Sequence, residues 1–337
     1  MARNGSQDET LPGEEAIVRL LAPLAQGFAG AFDLQDDCAL LTPEPGTELV
    51  LKTDPVAEGI HFLTDDAPED VAWKALAVNA SDLAAKAAQP IGYLMALSFP
   101  EAPTRAWLTR FAAGLQAAQA AFGCHLIGGD TDRRPGPLTV TISIVGSVPS
   151  GRMVRRGTAQ AGEAVVVSGT LGDAALGLML RRSPGVADDW GLSPDDARHF
   201  HERYARPQPR LCLRAALREH ASAAMDLSDG LAKDLGRLCV ASGCAARVGL
   251  AHVPVSPAAA KALAADASLW PRIVAAGDDY EVLATVPAPS LDAFRSMAEA
   301  SGVPLTPIGA TMAGTGIIIV GHDGAPLELD RMGWDHF

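Results

Sequence analysis

The sequence predicts a two-domain protein of mixed α/β architecture, and three observations carry that expectation. Its 337 residues exceed what a single hydrophobic core usually serves, so two domains are expected, with one large domain as the alternative. Short apolar segments of strand type recur between longer stretches of helical spacing. A basic, glycine-containing connector over residues 151–162 interrupts that succession near its middle.

In chain order, residues 14–24 carry helical spacing through Ile17, Val18, Leu21 and Leu24. Strands are expected at 38–42, opened by Asp37, and at 49–54, where Pro55 ends the ladder. In the second of these, Leu49, Leu51 and Thr53 share one face and Val50, Lys52 and Asp54 the other. Pro68 and Glu69 begin a helix reaching about Ala88, stopped by Gln89-Pro90. Val71, Ala75, Val78, Asp82 and Ala85 fall on one stripe of it, so Asp82 lies on the face expected to be buried. A buried carboxylate is costly without a cation; the alternative is that Asp82 caps the helix or pairs with Lys74 or Lys86. A strand at 91–99, an Ala-rich helix at 104–122, a strand at 124–127 running into Gly128-Gly129-Asp130, and a long strand at 138–148 complete a first domain of residues 1–149.

The second domain, 150–337, opens on Arg152, Arg155 and Arg156, candidate phosphate contacts in an acidic protein. A strand at 164–168 leads through Gly169-Thr170-Leu171-Gly172 into a helix from Asp173 to about Leu180; that turn lacks both G-x-G-x-x-G and the lysine of a P-loop, so it reads as a tight strand-to-helix connection. Residues 183–209, rich in Pro, Asp and Gly, are expected to be irregular and on the surface. Asp226-x-Ser228-Asp229-Gly230 precedes a helix through Leu231, Leu235 and Leu238 that Gly243 can end. With Ser228 as N-cap, two carboxylates would stand beside free helix N–H groups, where metal-bound phosphate can be held; simple capping is the alternative. Gly277-Asp278-Asp279-Tyr280 introduces a strand at 282–286, and 314–320 supplies another. The sequence closes on Gly333-Trp334-Asp335-His336-Phe337, whose aromatic pair is either a core plug or a ligand-stacking lid.

Composition narrows the function classes. With 48% hydrophobic and 20% charged residues the chain is an ordinary globular protein. Its net charge of -13 and lack of a Lys/Arg run argue against a nucleic-acid surface. An anionic small ligand is still compatible if divalent cations screen it, so acidity favours metal dependence. Cys38, Cys124, Cys212, Cys239 and Cys244 are dispersed, with no C-x-x-C pair or zinc-spaced His, which fits a reduced cytoplasm. The polar start, residues 1–15, is unlike a signal peptide, and no apolar run approaches membrane-spanning length, so a soluble cytoplasmic protein with no membrane partner is expected.

Taken in order, Asp36-Asp37-Cys38-Ala39, Thr53-Asp54-x-x-x-Glu58-Gly59-x-His61-Phe62, Ala77-x-Asn79-x-Ser81-Asp82-Leu83-Ala84-Ala85, Gly128-Gly129-Asp130-Thr131, Ser168-Gly169-Thr170-x-Gly172-Asp173, Asp226-x-Ser228-Asp229-Gly230-Leu231, Gly277-x-Asp279-Tyr280-Glu281 and the closing Gly333-Trp334-Asp335-His336-Phe337 resemble the thiamine-monophosphate kinase family, from about residue 28 to the end. The resemblance implies membership of the aminoimidazole ribonucleotide synthetase-like superfamily. It implies an N-terminal α/β domain that forms a shared β-barrel at a homodimer interface, a C-terminal α+β domain packed beside it, and ATP in the groove between them. The implied reaction is ATP-dependent phosphorylation of thiamine monophosphate to thiamine diphosphate, the last step in making that cofactor, by direct in-line transfer with several Mg²⁺ ions and no general base.

Carried over by position, Asp37, Thr53, Asp54, Asp82, Asp130, Asp226 and Asp229 match metal ligands. Gly129, Asp130, Arg156 and Ser228 match nucleotide contacts, and His61, Asp278 and Trp334 match substrate contacts. There are departures. Gln35 stands where the family usually has Gly, Asp278 replaces Glu, and Lys86 replaces Met; Lys52 stands where a hydroxyl residue adds a metal ligand, and its ammonium cannot ligate Mg²⁺. Two other readings are a synthetase of the same superfamily, against which the absence of an early Cys and of a Cys tail argues, and a non-catalytic binder, against which the whole acidic set argues.

Overall fold

The structure, a computed structural model, describes residues 10, 11 and 13–335; the expectations on the first nine residues, on Pro12, and on His336 and Phe337 lie outside the described residues. The chain divides into two compact units. One comprises the residues up to Leu83 with Gln89–Gly151, the other Ala84–Ala88 with the residues from Arg152 on.

The first unit contains α1 (Glu14–Leu21), β1 (Thr47–Ala57), α2 (Pro68–Ala85, whose last two residues group with the second unit), β2 (Gln89–Phe99), α3 (Arg105–Phe122), β3 (His125–Arg133) and β4 (Thr139–Pro149). Helix α3 starts where Thr104 Oγ1 accepts a bond from Trp107 N at 3.1 Å, and it stops at Gly123 in the left-handed region. The strands form one sheet in the order β1-β4-β2-β3, antiparallel except for the parallel β2/β3 pair. Val56, Tyr93, Met95, Leu97, Ile142 and Ile144 from the strands are buried, as are Leu76, Leu83, Leu108, Phe111 and Leu115 from the helices. The other face of the sheet carries Leu49, Leu94 and Leu51, the last 72% exposed. With β1 and β3 as free edges the sheet is open, so no barrel closes among the described residues.

Several expected elements are corrected. Residues 38–42 are not a strand: Leu40 N donates to Gly30 O at 2.8 Å, and that segment folds back onto the turn before it. Pro55 sits inside β1 rather than ending it, which an edge strand permits because its proline nitrogen faces away from the ladder. Helix α2 stops at Ala85, and β2 begins at Gln89 and includes Pro90. Strand β3 does not end at the glycines but runs through Gly128-Gly129-Asp130 to Arg133; a Cβ on Gly129 would lie 1.9 Å from Met95 O, so only glycine fits there.

The second unit contains β5 (Ala164–Ser168), α4 (Asp173–Arg182), α5 (Val186–Asp189), α6 (Pro194–Ala205), α7 (Arg214–His220), β6 (Ala223–Asp226), α8 (Leu231–Ser242), β7 (Ala245–Gly249), α9 (Pro257–Ala265), α10 (Trp270–Ala275), β8 (Val282–Val286), α11 (Leu291–Ala300), β9 (Leu305–Met312) and β10 (Gly316–Val320). Its six-stranded sheet has the order β10-β7-β9-β5-β8-β6, antiparallel apart from β10/β7. Strand alternation feeds two cores. Val165, Val167 and Leu283 pack with Phe200, Leu235 and Leu238 on one side, while Val166, Ala284 and Val286 pack with Leu213, Leu217 and Phe294 on the other. Residues 183–209 are not irregular throughout: α6 starts on a complete capping box between Ser193 and Asp196 and buries Phe200 and Tyr204.

Candidate functional site

In the first unit, α2 docks on the inner face of β1, where Asn79 Nδ2 donates to Asp54 O at 3.4 Å. Strand alternation points Lys52 and Asp54 to that face, and Asp82 meets them from α2. The Lys52 ammonium lies 2.8 Å from Asp82 Oδ2 and 3.1 Å from Asp54 Oδ2. Asp82 thus pairs with a lysine from another element and not through the helical spacing to Lys74 or Lys86. Burial by itself would lower the Lys52 pKa, but the carboxylates of Asp82 and Asp54 outweigh it and hold the group well above its ordinary value. Thr53 points the other way, donating to Ile142 O at 3.1 Å and accepting from Ser143 Oγ at 2.9 Å. Asp37 is exposed on the stretch before β1, and Asp130 is exposed on β3, at the edge of the sheet opposite Asp54. Three strand spacings, about 14 Å, separate those edges. His61 Nδ1 accepts a bond from Ala57 N at 3.1 Å, which places the ring proton of a neutral imidazole on Nε2.

In the second unit, three sequence-distant segments meet at the exit of β6. Leu227 N donates to Glu281 O and Tyr280 N to Leu227 O, both at 2.8 Å; Asp278 N donates to Ser228 O and Trp334 N to Asp229 O, both at 3.0 Å. Asp226, Ser228, Asp229, Asp278 and Trp334 are thereby gathered in one place. The approach is close: a Cβ on Gly277 would stand 2.0 Å from Ser228 O. Asp278 and Tyr280 hold left-handed φ values of 73° and 50°, a strain concentrated where the loop crosses the β6 exit.

Ser228 is not the N-cap of α8, a second correction to the expected site. Gly230 caps the helix without a side chain, and the N–H groups of Ser228 and Asp229 both donate to Asp234 Oδ2, at 3.0 and 2.9 Å. Asp234 is fully buried, and burial lifts its carboxyl to about 6 against the pull of its donors and of Arg237. Arg237 also bonds Asp229, and Lys233 reaches Trp334 O and lies 3.9 Å from Asp229 Oδ2. Arg156 lines a groove of about 490 Å³ with Lys233, Arg237, Val240 and Met332. Its cationic rim suits an anion.

Beneath these loops lies a buried polar frame that reading the sequence missed. Glu281 accepts from Ser168 Oγ at 2.6 Å, Arg203 Nη2 at 2.8 Å and Arg210 Nε at 2.6 Å. Asp279, 3% exposed, accepts from Gly172 N at 2.8 Å, and burial pushes its carboxyl well above the usual range. Asp173 accepts from Thr170 Oγ1 at 2.7 Å and Ser256 Oγ at 2.6 Å. His199 Nε2 stands 3.1 Å from Asp173 Oδ2, off the hydrogen-bond direction, so that contact is chiefly ionic. The signal available in sequence was the acidic run at 278–281 beside arginines in a segment read as surface.

The acidic residues suit hard cations in kind, since Mg²⁺ takes carboxylate oxygen and keeps several waters. Among the described residues, however, no group of three or more His, Cys, Asp or Glu side chains is assembled as a ligand set. Asp37, Asp130 and Asp226 fit Mg²⁺ as single carboxylates; Asp229, bonded by Arg237, and the Asp54–Asp82 pair already hold cations of the chain's own.

Residues 35–148 match the AIR synthase related protein, N-terminal domain, and residues 160–322 the AIR synthase related protein, C-terminal domain. The thiamine-monophosphate kinase of Caulobacter vibrioides is 40% identical over 323 residues, covering 95% of this chain and 89% of that protein. The crystal structure of thiamine-monophosphate kinase from Stenotrophomonas maltophilia K279a is 36% identical with a TM-score of 0.82, over 95% of this chain and 99% of the other. AaThiL complexed with AMPPCP and TMP is 28% identical with a TM-score of 0.76, over 96% and 97%.

Proposed function

The chain belongs to the thiamine-monophosphate kinase family, and from that premise we propose that it transfers the γ-phosphoryl group of ATP to the phosphate of thiamine monophosphate, yielding thiamine diphosphate and ADP. The observation that carries the reading is the gathering of Asp226, Ser228, Asp229, Asp278 and Trp334 at the β6 exit, in a chain so similar over nearly its whole length to kinases of that name.

The acceptor is itself a phosphate with a second pKa of about 6, so it is largely dianionic at neutral pH and needs no general base. Repulsion between two polyanions is the obstacle. Bound Mg²⁺ supplies charge neutralisation and alignment of donor and acceptor. Asp37, Thr53, Asp54, Asp82, Asp130, Asp226 and Asp229 are the residues assigned to hold it, with Lys52 qualifying the Asp54–Asp82 pair. Gly129, Asp130, Arg156 and Ser228 contact the nucleotide, Arg156 from the cationic groove. His61 offers Nε2–H to the acceptor, Asp278 faces it, and Trp334, 46% exposed, presents an aromatic face to a cationic heterocycle.

Residues 1–149 form the metal-binding and dimerisation domain in this reading, and residues 150–337 complete the nucleotide and substrate site. The exposed Leu49, Leu51 and Leu94 on one sheet face support a homodimer in which two open sheets join as a barrel. Five free cysteines agree with a reducing cytoplasm, and among the described residues no helix is long and apolar enough to cross a membrane. A coupled assay of ADP release with thiamine monophosphate, with and without Mg²⁺, tests the reading. Asp130→Asn and Asp229→Asn should each lower turnover about 100-fold or more while the fold survives; undiminished turnover in folded variants would sink the multi-metal account.

A further inference from the structure

Lys52 occupies the space between two carboxylates that the kinase reading gives to a metal ion. Its ammonium stands 2.8 Å from Asp82 Oδ2 and 3.1 Å from Asp54 Oδ2, ordinary distances for charge-assisted contacts. The arrangement is partly shielded, with side-chain exposures of 31% for Lys52, 39% for Asp54 and 20% for Asp82. Its backbone is fixed. Lys52 pairs with Ile144 and Asp54 with Ile142 in the β1/β4 ladder, so alternation keeps both side chains on the α2 side, and Asn79 ties α2 to Asp54 O.

We propose that Lys52 is the permanent cation of the Asp54–Asp82 pair and takes the place there of one divalent ion, so this chain binds fewer metal ions per active site than its fold can hold. The inference rests on the kinase reading. The tethered ammonium is always present at the pair, whereas Mg²⁺ must displace it and shed water to bind. The substitution is incomplete in charge: one ammonium against two carboxylates leaves the pair net negative, still attractive to a metal ion carried in on the phosphates of ATP. The chain therefore keeps part of that electrostatic neutralisation with one fewer ion to recruit from solution.

The test counts metal. Dialysed wild type, Lys52→Ser and Lys52→Met are titrated with Mn²⁺ in the presence of saturating AMPPCP, with free Mn²⁺ read by electron paramagnetic resonance and folding checked by thermal denaturation. Both variants should bind one more Mn²⁺ per chain than the wild type, Ser by adding a hydroxyl to the pair and Met by leaving the carboxylates bare. Met keeps the stem of the side chain and so answers the question if Ser does not fold. Equal stoichiometry in wild type and variants, with thiamine monophosphate still phosphorylated by the wild type, overturns the inference and leaves the kinase reading standing. Absence of ADP release from the wild type overturns the kinase reading instead, and the Mn²⁺ count then still decides whether Lys52 excludes an ion.

Discussion

His199 illustrates how much a single side chain here depends on its neighbours. Asp173 raises its pKa above the ordinary 6.5, opposed by partial burial and by Arg203 and assisted by Glu202. Burial would raise the pKa of Asp173, but the close His199 ring and the bonds from Ser256 and Thr170 outweigh it and bring it below 3.8. The stability from the raised His is fully present below the unfolded value near 6.5 and is lost as pH rises through the folded one; that from the lowered Asp is present above 3.8 and is lost as pH falls through its folded value. Between those limits the pair is at its strongest. Urea unfolding from pH 6 to 8.5 should show a decline of less than about 1 kcal/mol, small because the His199 side chain is 41% exposed, and His199→Gln should flatten it. Parallel pH curves for the two proteins would exclude the ion pair as its source. The residues of the candidate site were legible in sequence as types, since Asp226, Asp229 and Asp130 stand out beside glycines. Their partners were not: Asp234, Lys52 and Arg237 act on them from positions whose significance arises only on folding.

Helices were read more securely than the ends of strands. The start of α3 at Thr104 and the Gly123 and Gly243 stops follow from capping and left-handed geometry that are local to the chain, whereas the start of α8 does not, because Gly230 stands where Ser228 is expected to cap. Pro55 misled because its tolerance depends on β1 lying at an edge, and residues 183–209 misled because their composition hid the capping box at Ser193. The loop leading into β8 depends on a buried element-to-element clamp, Glu281 held by Arg203, Arg210 and Ser168. Arg210→Met should cost about 2–3 kcal/mol in urea unfolding, since it leaves part of a buried carboxylate uncompensated even though Arg210 is itself 21% exposed. It should also raise the KM for thiamine monophosphate by loosening Asp278. Unchanged stability would mean that Arg203 alone satisfies Glu281.

On the scale of the whole molecule, the open first sheet leaves its Leu49, Leu51 and Leu94 face unprotected. If the proposed homodimer joins through this face, Leu51→Lys should convert it to monomer in sedimentation equilibrium at little cost to each chain, because Leu51 is 72% exposed. A dimer of undiminished stability would assign the contact to another face. By itself the sequence determined the mixed α/β class, the two-part organisation, the acidic residues suited to cations and the family, because composition, periodicity and short motifs are properties of neighbouring residues. Only the tertiary structure decided which charges meet. Lys52 reaches Asp82 from another element, Asp234 gathers the amides of Ser228 and Asp229, and Glu281 meets Arg203 and Arg210 across a buried frame. Electrostatic roles follow distance and burial in space, and spacing along the chain does not encode them.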